Sequence, residues 1–172
     1  MLHPFARPTI LRELQAYRAF ARLGVRTPRL VYGGARKWQG QWQALLVTEA
    51  LQDFIGPGQW YANGGAAALK ESVLCRLAST LVRLRRAGWQ HGCCYPNHVF
   101  VKVGENESDA PQAEIALLDL EKSRRHLSAR AASAHDLGQL SRHRGDMPEA
   151  DLLLFQRVCQ RRLADPPETP ES

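Results

Sequence analysis

The segment running from about Ala66 to Arg86, "AAALKESVLCRLASTLVRLRR", constrains the fold more than any other. Val73, Leu74, Leu77, Leu81 and Leu84 recur at helical spacing, while Arg83, Arg85 and Arg86 fall on the opposite face. Gly88 suits the stop. A helix of this length is about 30 Å long and must bury its stripe against a second layer. That layer is legible downstream. A polar stretch, "HGCCYPNH" (His91–His98), leads into Val99–Val103, which alternates as a strand. "GENESDAPQ" then reads as a polar turn, and Ile115–Leu118 as a buried strand running into Asp119. The long helix therefore delivers the chain into a loop and a hairpin.

The same logic organises the rest. Ile10, Leu14, Tyr17 and Ala21 predict a helix over Thr9–Leu23, with Pro8 suited to its first turn and Gly24 to its stop. Leu30-Val31-Tyr32 reads as a short strand ended by Gly33-Gly34. The apolar run Ala44–Thr48 is its hairpin partner across "KWQGQW". Asp53–Gly65, glycine-rich and containing Pro57, reads as a loop. Helices are expected near Ala134–His143 and Glu149–Leu163, followed by a disordered acidic tail, "DPPETPES". The fold class is α+β.

Composition excludes more than it selects. With 44% hydrophobic and 23% charged residues in 172, the chain reads as one globular unit with no span-length apolar run. "MLHPFARPTILREL" lacks the apolar core of a secretion signal, so a cytoplasmic protein is expected. Cys75, Cys93, Cys94 and Cys159 show no framework spacing and are read as thiols. The net charge of +6 favours anionic partners, yet no basic stretch is interleaved with aromatics as a nucleic-acid platform requires.

"HGCCYPNH" resembles the catalytic loop of protein kinases, H-R-D-x-x-x-x-N. His91 falls on the motif histidine, Cys93 on the aspartate that accepts the substrate proton, and His98 on the metal-binding asparagine. Asp119 in "LLDLEK" falls on the aspartate of D-F-G. Asp136 in "AHDLGQL" falls on the helix aspartate that anchors the loop backbone. Glu13 lies where kinases carry the glutamate that pairs with the phosphate lysine, and Glu49-Ala50-Leu51 lies at the adenine-binding hinge. The cysteine–tyrosine pair, the histidine at the asparagine position and "DLEK" together resemble the lipopolysaccharide core (Kdo/heptose) kinase family, in its InaA-type branch. Too few residues separate Glu121 from Asp136 for a peptide-binding activation segment, which favours a sugar or other small acceptor.

The resemblance implies a partial N-terminal lobe over residues 1–52, a C-terminal lobe over 53–164 and a tail over 165–172. It implies ATP and Mg or Mn as cofactors, bound through Asp119 and His98, with Glu49, Leu51 and Glu13 at the nucleotide. His91 and Asp136 support the loop, and Cys93, His98 and Asp119 form the catalytic set. The acceptor would be a lipopolysaccharide core sugar or another small anionic molecule, met in the cytoplasm or at the inner membrane face.

Two departures bear on activity. No G-x-G-x-x-G occurs and Glu13 has no evident lysine partner, so the N-terminal lobe is expected to be incomplete. A cysteine at the base position is mostly protonated at neutral pH, and imidazole suits manganese or zinc better than magnesium. A pseudokinase that acts as a binding module is the alternative. A zinc site made by His91, Cys93, Cys94 and His98 is the reading outside the kinase class.

Overall fold

The computed structural model describes residues 8–65, 67–105, 111–126 and 129–165. The acidic tail beyond Asp165 and the tip of the "GENESDAPQ" turn lie outside the described residues. Five helices and six strands are present among those described: α1 (Thr9–Arg22), β1 (Leu30–Trp38), β2 (Gln41–Thr48), α2 (Pro57–Ala62), α3 (Ala67–Arg86), β3 (Trp89–Gln90), β4 (Val99–Glu105), β5 (Pro111–Leu117), β6 (Arg124–Arg125), α4 (Ala129–Arg142) and α5 (Glu149–Ala164). The strands pair antiparallel as β1–β2, β3–β6 and β4–β5. None of the described helices is long and apolar enough to cross a membrane.

Helix α3 is the organising element, as its pattern predicts. Val73, Leu74, Leu77, Leu81 and Leu84 are all buried, against Leu152, Phe155, Val158 and Cys159 of α5, Ala113, Ile115 and Leu117 of β5, and Leu140 of α4. The β4–β5 hairpin alternates as expected, with Val99 and Val101 inward. On α1 the buried face is Ile10, Leu14, Ala16, Tyr17 and Phe20. Ala21, expected inside, is exposed. Phe20, one position earlier, takes the core site and meets the edge of Trp89 with ring centroids 5.9 Å apart.

The first hairpin departs from expectation. β1 does not stop at Gly33-Gly34 but continues through them to Trp38, pairing Gly33 with Leu46 and Gly34 with Leu45. The reason is packing: a Cβ at Gly33 would stand 2.1 Å from Leu14 Cδ2, so glycine lets α1 lie against the strand. The turn sits at Gln39-Gly40, both with positive φ, the conformation of a two-residue hairpin loop. The apolar β2 is not buried; Leu45 is 57% exposed. Leu45, Val47, Tyr32, Trp38 and Trp42 leave a largely solvent-facing apolar ribbon. Within the expected Asp53–Gly65 loop, Pro57 starts the short α2 and Trp60 anchors it in the core.

Bridges join the hairpins to one frame. Arg26 pairs with Ala116 in parallel, and Ile55 exchanges both backbone bonds with Val101, at 2.9 and 2.8 Å. The β3–β6 pair was not foreseen, since two residues carry no periodicity. It closes over the His91 loop: Trp89 pairs with Arg125 and Gln90 with Arg124.

Candidate active site

Asp136 on α4 is buried, and both its oxygens face the loop. Oδ2 accepts the His91 N–H at 2.7 Å and Oδ1 the Gly92 N–H at 2.9 Å. Charge-assisted bonds to buried amides are among the strongest available to a polypeptide. Three residues along the same helix face, Gln139 accepts the Cys94 N–H at 2.9 Å through Oε1 and donates to the Tyr95 hydroxyl at 3.2 Å. Ser123 Oγ donates to the His91 carbonyl at 2.8 Å. The loop therefore hangs from side chains on its own backbone groups. Gly92 is required: its φ is +85°, and a Cβ there would lie 2.4 Å from the Lys122 carbonyl.

His91 sits inside the loop. Its ring is fully buried, and Nδ1 accepts the Cys93 N–H at 3.2 Å. Nε2, which then carries the proton, is sealed from solvent and makes no hydrogen bond of ordinary geometry. Burial lowers its pKa below the usual histidine range, with the Asp136 carboxylate and the Leu118 main chain opposing.

The loop then turns through one tight helical turn, Pro96–His98. His98 Nδ1 lies 2.9 Å from the Cys93 carbonyl and 3.3 Å from Asp119 Oδ2. A carbonyl only accepts, so Nδ1 carries a proton there, and Nε2 is the nitrogen left to bind a cation. Asp119, at the end of β5, holds φ of +59°, uncommon for a residue with a side chain. The Leu118 N–H, just before it, donates to the His98 carbonyl at 2.9 Å. Hairpin and loop are thereby locked together where the carboxylate emerges.

Cys93, His98 and Asp119 place ligand atoms within 4.8 Å of one another. These are the three expected catalytic residues, and the structure brings them together. The four-ligand zinc alternative is not assembled among the described residues: of its four members only Cys93 and His98 join the cluster, and His91 spends Nδ1 on the Cys93 amide. Burial and the neighbouring Asp119 raise the Cys93 thiol above its ordinary pKa, against a smaller pull from Lys122. A neutral thiol is a poor metal ligand and no base. The donors that fit a divalent cation are the Asp119 carboxylate and the His98 imidazole, a set that suits manganese better than magnesium and leaves room for further oxygen ligands.

Glu13 enters from α1. Burial first, then Asp119 and Glu121, push its pKa up, so it faces other carboxylates. No ion pair to a lysine reaches it among the described residues. Tyr17, one turn on, is pushed up to about 12 by burial and by Glu13 and Asp119. α1 thus adds a carboxylate beside Asp119. Arg12 fastens the helix to this segment, donating from Nε to the Glu121 carbonyl at 2.8 Å.

Glu49 and Leu51 are not joined to this cluster by any hydrogen bond or ion pair among the described residues. Glu49 is held at the surface by Arg29, whose Nε lies 2.6 Å from Oε2. Its own N–H donates to the Arg29 carbonyl. Sequence reasoning missed Gln139 and Ser123. Gln139 was within reach, three positions after Asp136 and hence on one helix face; Ser123 carries no local signal.

A sequence profile of the Lipopolysaccharide kinase (Kdo/WaaP) family matches residues 1–158. Protein InaA of Escherichia coli (strain K12) is 39% identical over 153 residues, covering 87% of this chain and 68% of its own length. Among solved structures, WaaP in complex with acyl carrier protein superposes with a TM-score of 0.70 at 23% identity, over 88% of this chain and 66% of that one. The Rio2 kinase from Chaetomium thermophilum superposes at 0.55 with 11% identity, over 88% of this chain and 44% of that one. The fold is therefore protein-kinase-like, and this chain spans about two thirds of the length of InaA and of WaaP.

Proposed function

The chain belongs to the lipopolysaccharide kinase (Kdo/WaaP) family, and on that premise we propose that it transfers the ATP γ-phosphoryl group to a sugar hydroxyl of lipopolysaccharide core. The observation that carries this reading is Asp119, 3.3 Å from His98, beneath a loop pinned by Asp136. Phosphoryl transfer depends mainly on positioning and on neutralising phosphate charge. When bound, a divalent cation supplies that neutralisation, and Asp119 with His98 Nε2 would hold it. Asp136, Gln139 and Ser123 keep the loop from moving as substrates bind. Cys93, protonated, holds no acceptor proton; its backbone carbonyl instead takes the Tyr95 N–H at 2.8 Å and the His98 Nδ1–H. The missing base implies a rate about 10²–10⁴ below that of a loop carrying one.

The neutral thiol and the lysine-free Glu13 also support a second reading, a family member that binds nucleotide or a partner with little turnover. One assay separates the two. The protein is incubated with γ-labelled ATP, Mg²⁺ or Mn²⁺ and purified core oligosaccharide. Label on sugar supports transfer, whereas metal-dependent ATP binding with no label in sugar selects the binding module. Absence of both would sink the nucleotide reading altogether.

A further inference from the structure

Away from Asp119, helix α1 presents a second surface. Arg12, Gln15, Arg18, Ala19 and Arg22 form a stripe along the helix and meet Trp89, Ser123, Arg124 and Arg125 of the β3–β6 pair. Together they line a groove of about 470 Å³ that includes none of Cys93, His98 or Asp119. Five guanidinium groups from two separate parts of the chain converge there, and no carboxylate lines the groove among the described residues. All five arginines are exposed.

Their existing partners leave most of this charge unmet. Arg12 uses Nε on the Glu121 carbonyl, and Arg124 uses Nε on Gln90 Oε1 at 3.4 Å and His126 Nε2 at 3.2 Å. None of these partners is anionic. Arg18, Arg22 and Arg125 make no hydrogen bond or ion pair with side chains of the described residues. Arg22 is accounted for alone, since a cation in the last turn complements the helix dipole. Arg18, one turn before it, is not, because like charges at that spacing repel. Arg125, facing them from β6, adds to the repulsion. A cluster of exposed guanidinium groups with no internal counter-ion among the described residues is placed to take an external anion.

The chemistry selects the anion. Guanidinium forks match the oxygens of phosphate, and several forks around one concavity suit a compact, multiply charged group better than a lone carboxylate. We propose that this groove binds a phosphate-bearing anion, either a phospholipid headgroup or a free phosphate ester. The site is separate from the Asp119 cluster and does not depend on phosphotransfer.

The test uses the whole chain without divalent metal, so that Asp119 cannot recruit phosphate. Inorganic pyrophosphate is titrated by calorimetry, and flotation is measured with vesicles of phosphatidylglycerol and phosphatidylcholine against phosphatidylcholine alone. Wild type should bind one or both phosphate probes, more weakly as salt rises. The triple variant Arg18→Gln, Arg22→Gln, Arg125→Gln should lose about tenfold or more in affinity. A control triple removing equal charge elsewhere, Arg76→Gln, Arg142→Gln, Arg161→Gln, should stay within about threefold of wild type. If the groove triple fails to fold, Arg18→Gln and Arg125→Gln singly should each weaken binding while the control singles do not. Pyrophosphate binding without vesicle capture assigns a free phosphate; groove-dependent vesicle capture that pyrophosphate competes with poorly assigns a headgroup. Equal losses in both triples, no binding of either probe, or a tighter groove-dependent hold on polyglutamate than on phosphate would overturn the proposal.

Discussion

Two aspartates in this chain sit in opposite settings, and single substitutions should separate them. Asp136 is buried with two amide donors on its oxygens, so Asp136→Ala leaves both unsatisfied. Unfolding in urea should show a loss of about 2–5 kcal/mol; a loss under 1 would mean the loop finds other acceptors. Asp119 is partly exposed and lies near Glu13, so Asp119→Asn should leave stability within about 0.5 kcal/mol of wild type. The same change should abolish metal-dependent nucleotide binding, and unchanged Mg–ATP affinity would remove Asp119 from the metal. Cys93→Asp restores a carboxylate and should raise any phosphotransfer rate about 10²-fold or more. A fall in activity with the fold intact would make the cysteine a specialised group. His91 gives the pH dependence. Its folded pKa lies below the ordinary 6.5, so in acid the unfolded chain binds the extra proton. The contribution of neutral His91 is whole above 6.5 and is lost as pH falls below it towards the depressed value. Ring nitrogen shifts should show His91 staying neutral below the ordinary histidine range; a ring that charges at or above that range would remove it as the source of the pH dependence.

At the scale of elements, the apolar hairpin β1–β2 is the part most open to change. Leu45→Lys removes an exposed side chain, so stability should move by less than about 0.5 kcal/mol, while self-association, followed by light scattering, should fall. Phe155, fully buried between α5 and α3, is the contrast: Phe155→Ala should cost about 3–5 kcal/mol. The same two elements show what a sequence can disclose. The α3 stripe was legible because burial on one side of a helix repeats every turn. The hairpin was foreseen, but not its extent or its exposure. Gly33 looked like a terminator when its lack of a side chain served contact with Leu14, and the apolar run of β2 carried no signal that it faces solvent. Asp119, Asp136 and His98 were picked out as candidates by motif. Their support from Gln139 and Ser123, and the approach of Glu13 to Asp119, depend on long-range packing that spacing along the chain does not encode.

For the molecule as a whole, the lobe division proposed near residue 52 would show as unequal local stability. The β1–β2 ribbon touches the remainder mainly through α1, whereas α3 is enclosed by α4, α5 and β5. Native-state hydrogen exchange should find amides of Leu74–Leu84 opening only with global unfolding, and those of Ala35–Leu45 exchanging orders of magnitude faster. Equal protection in both would mean one cooperative unit with no lobe boundary. Arg12 belongs to both of the surfaces described: its guanidinium lines the arginine groove, while its Nε holds the segment that follows Asp119. An anion that draws Arg12 outward would therefore compete with the Glu121 carbonyl for the same group, and the proposed anion and a cation at Asp119 would exchange free energy through a single side chain. Thermodynamic reciprocity then makes the effect mutual: whatever factor a groove ligand imposes on cation affinity at Asp119, the cation returns in equal measure to the groove.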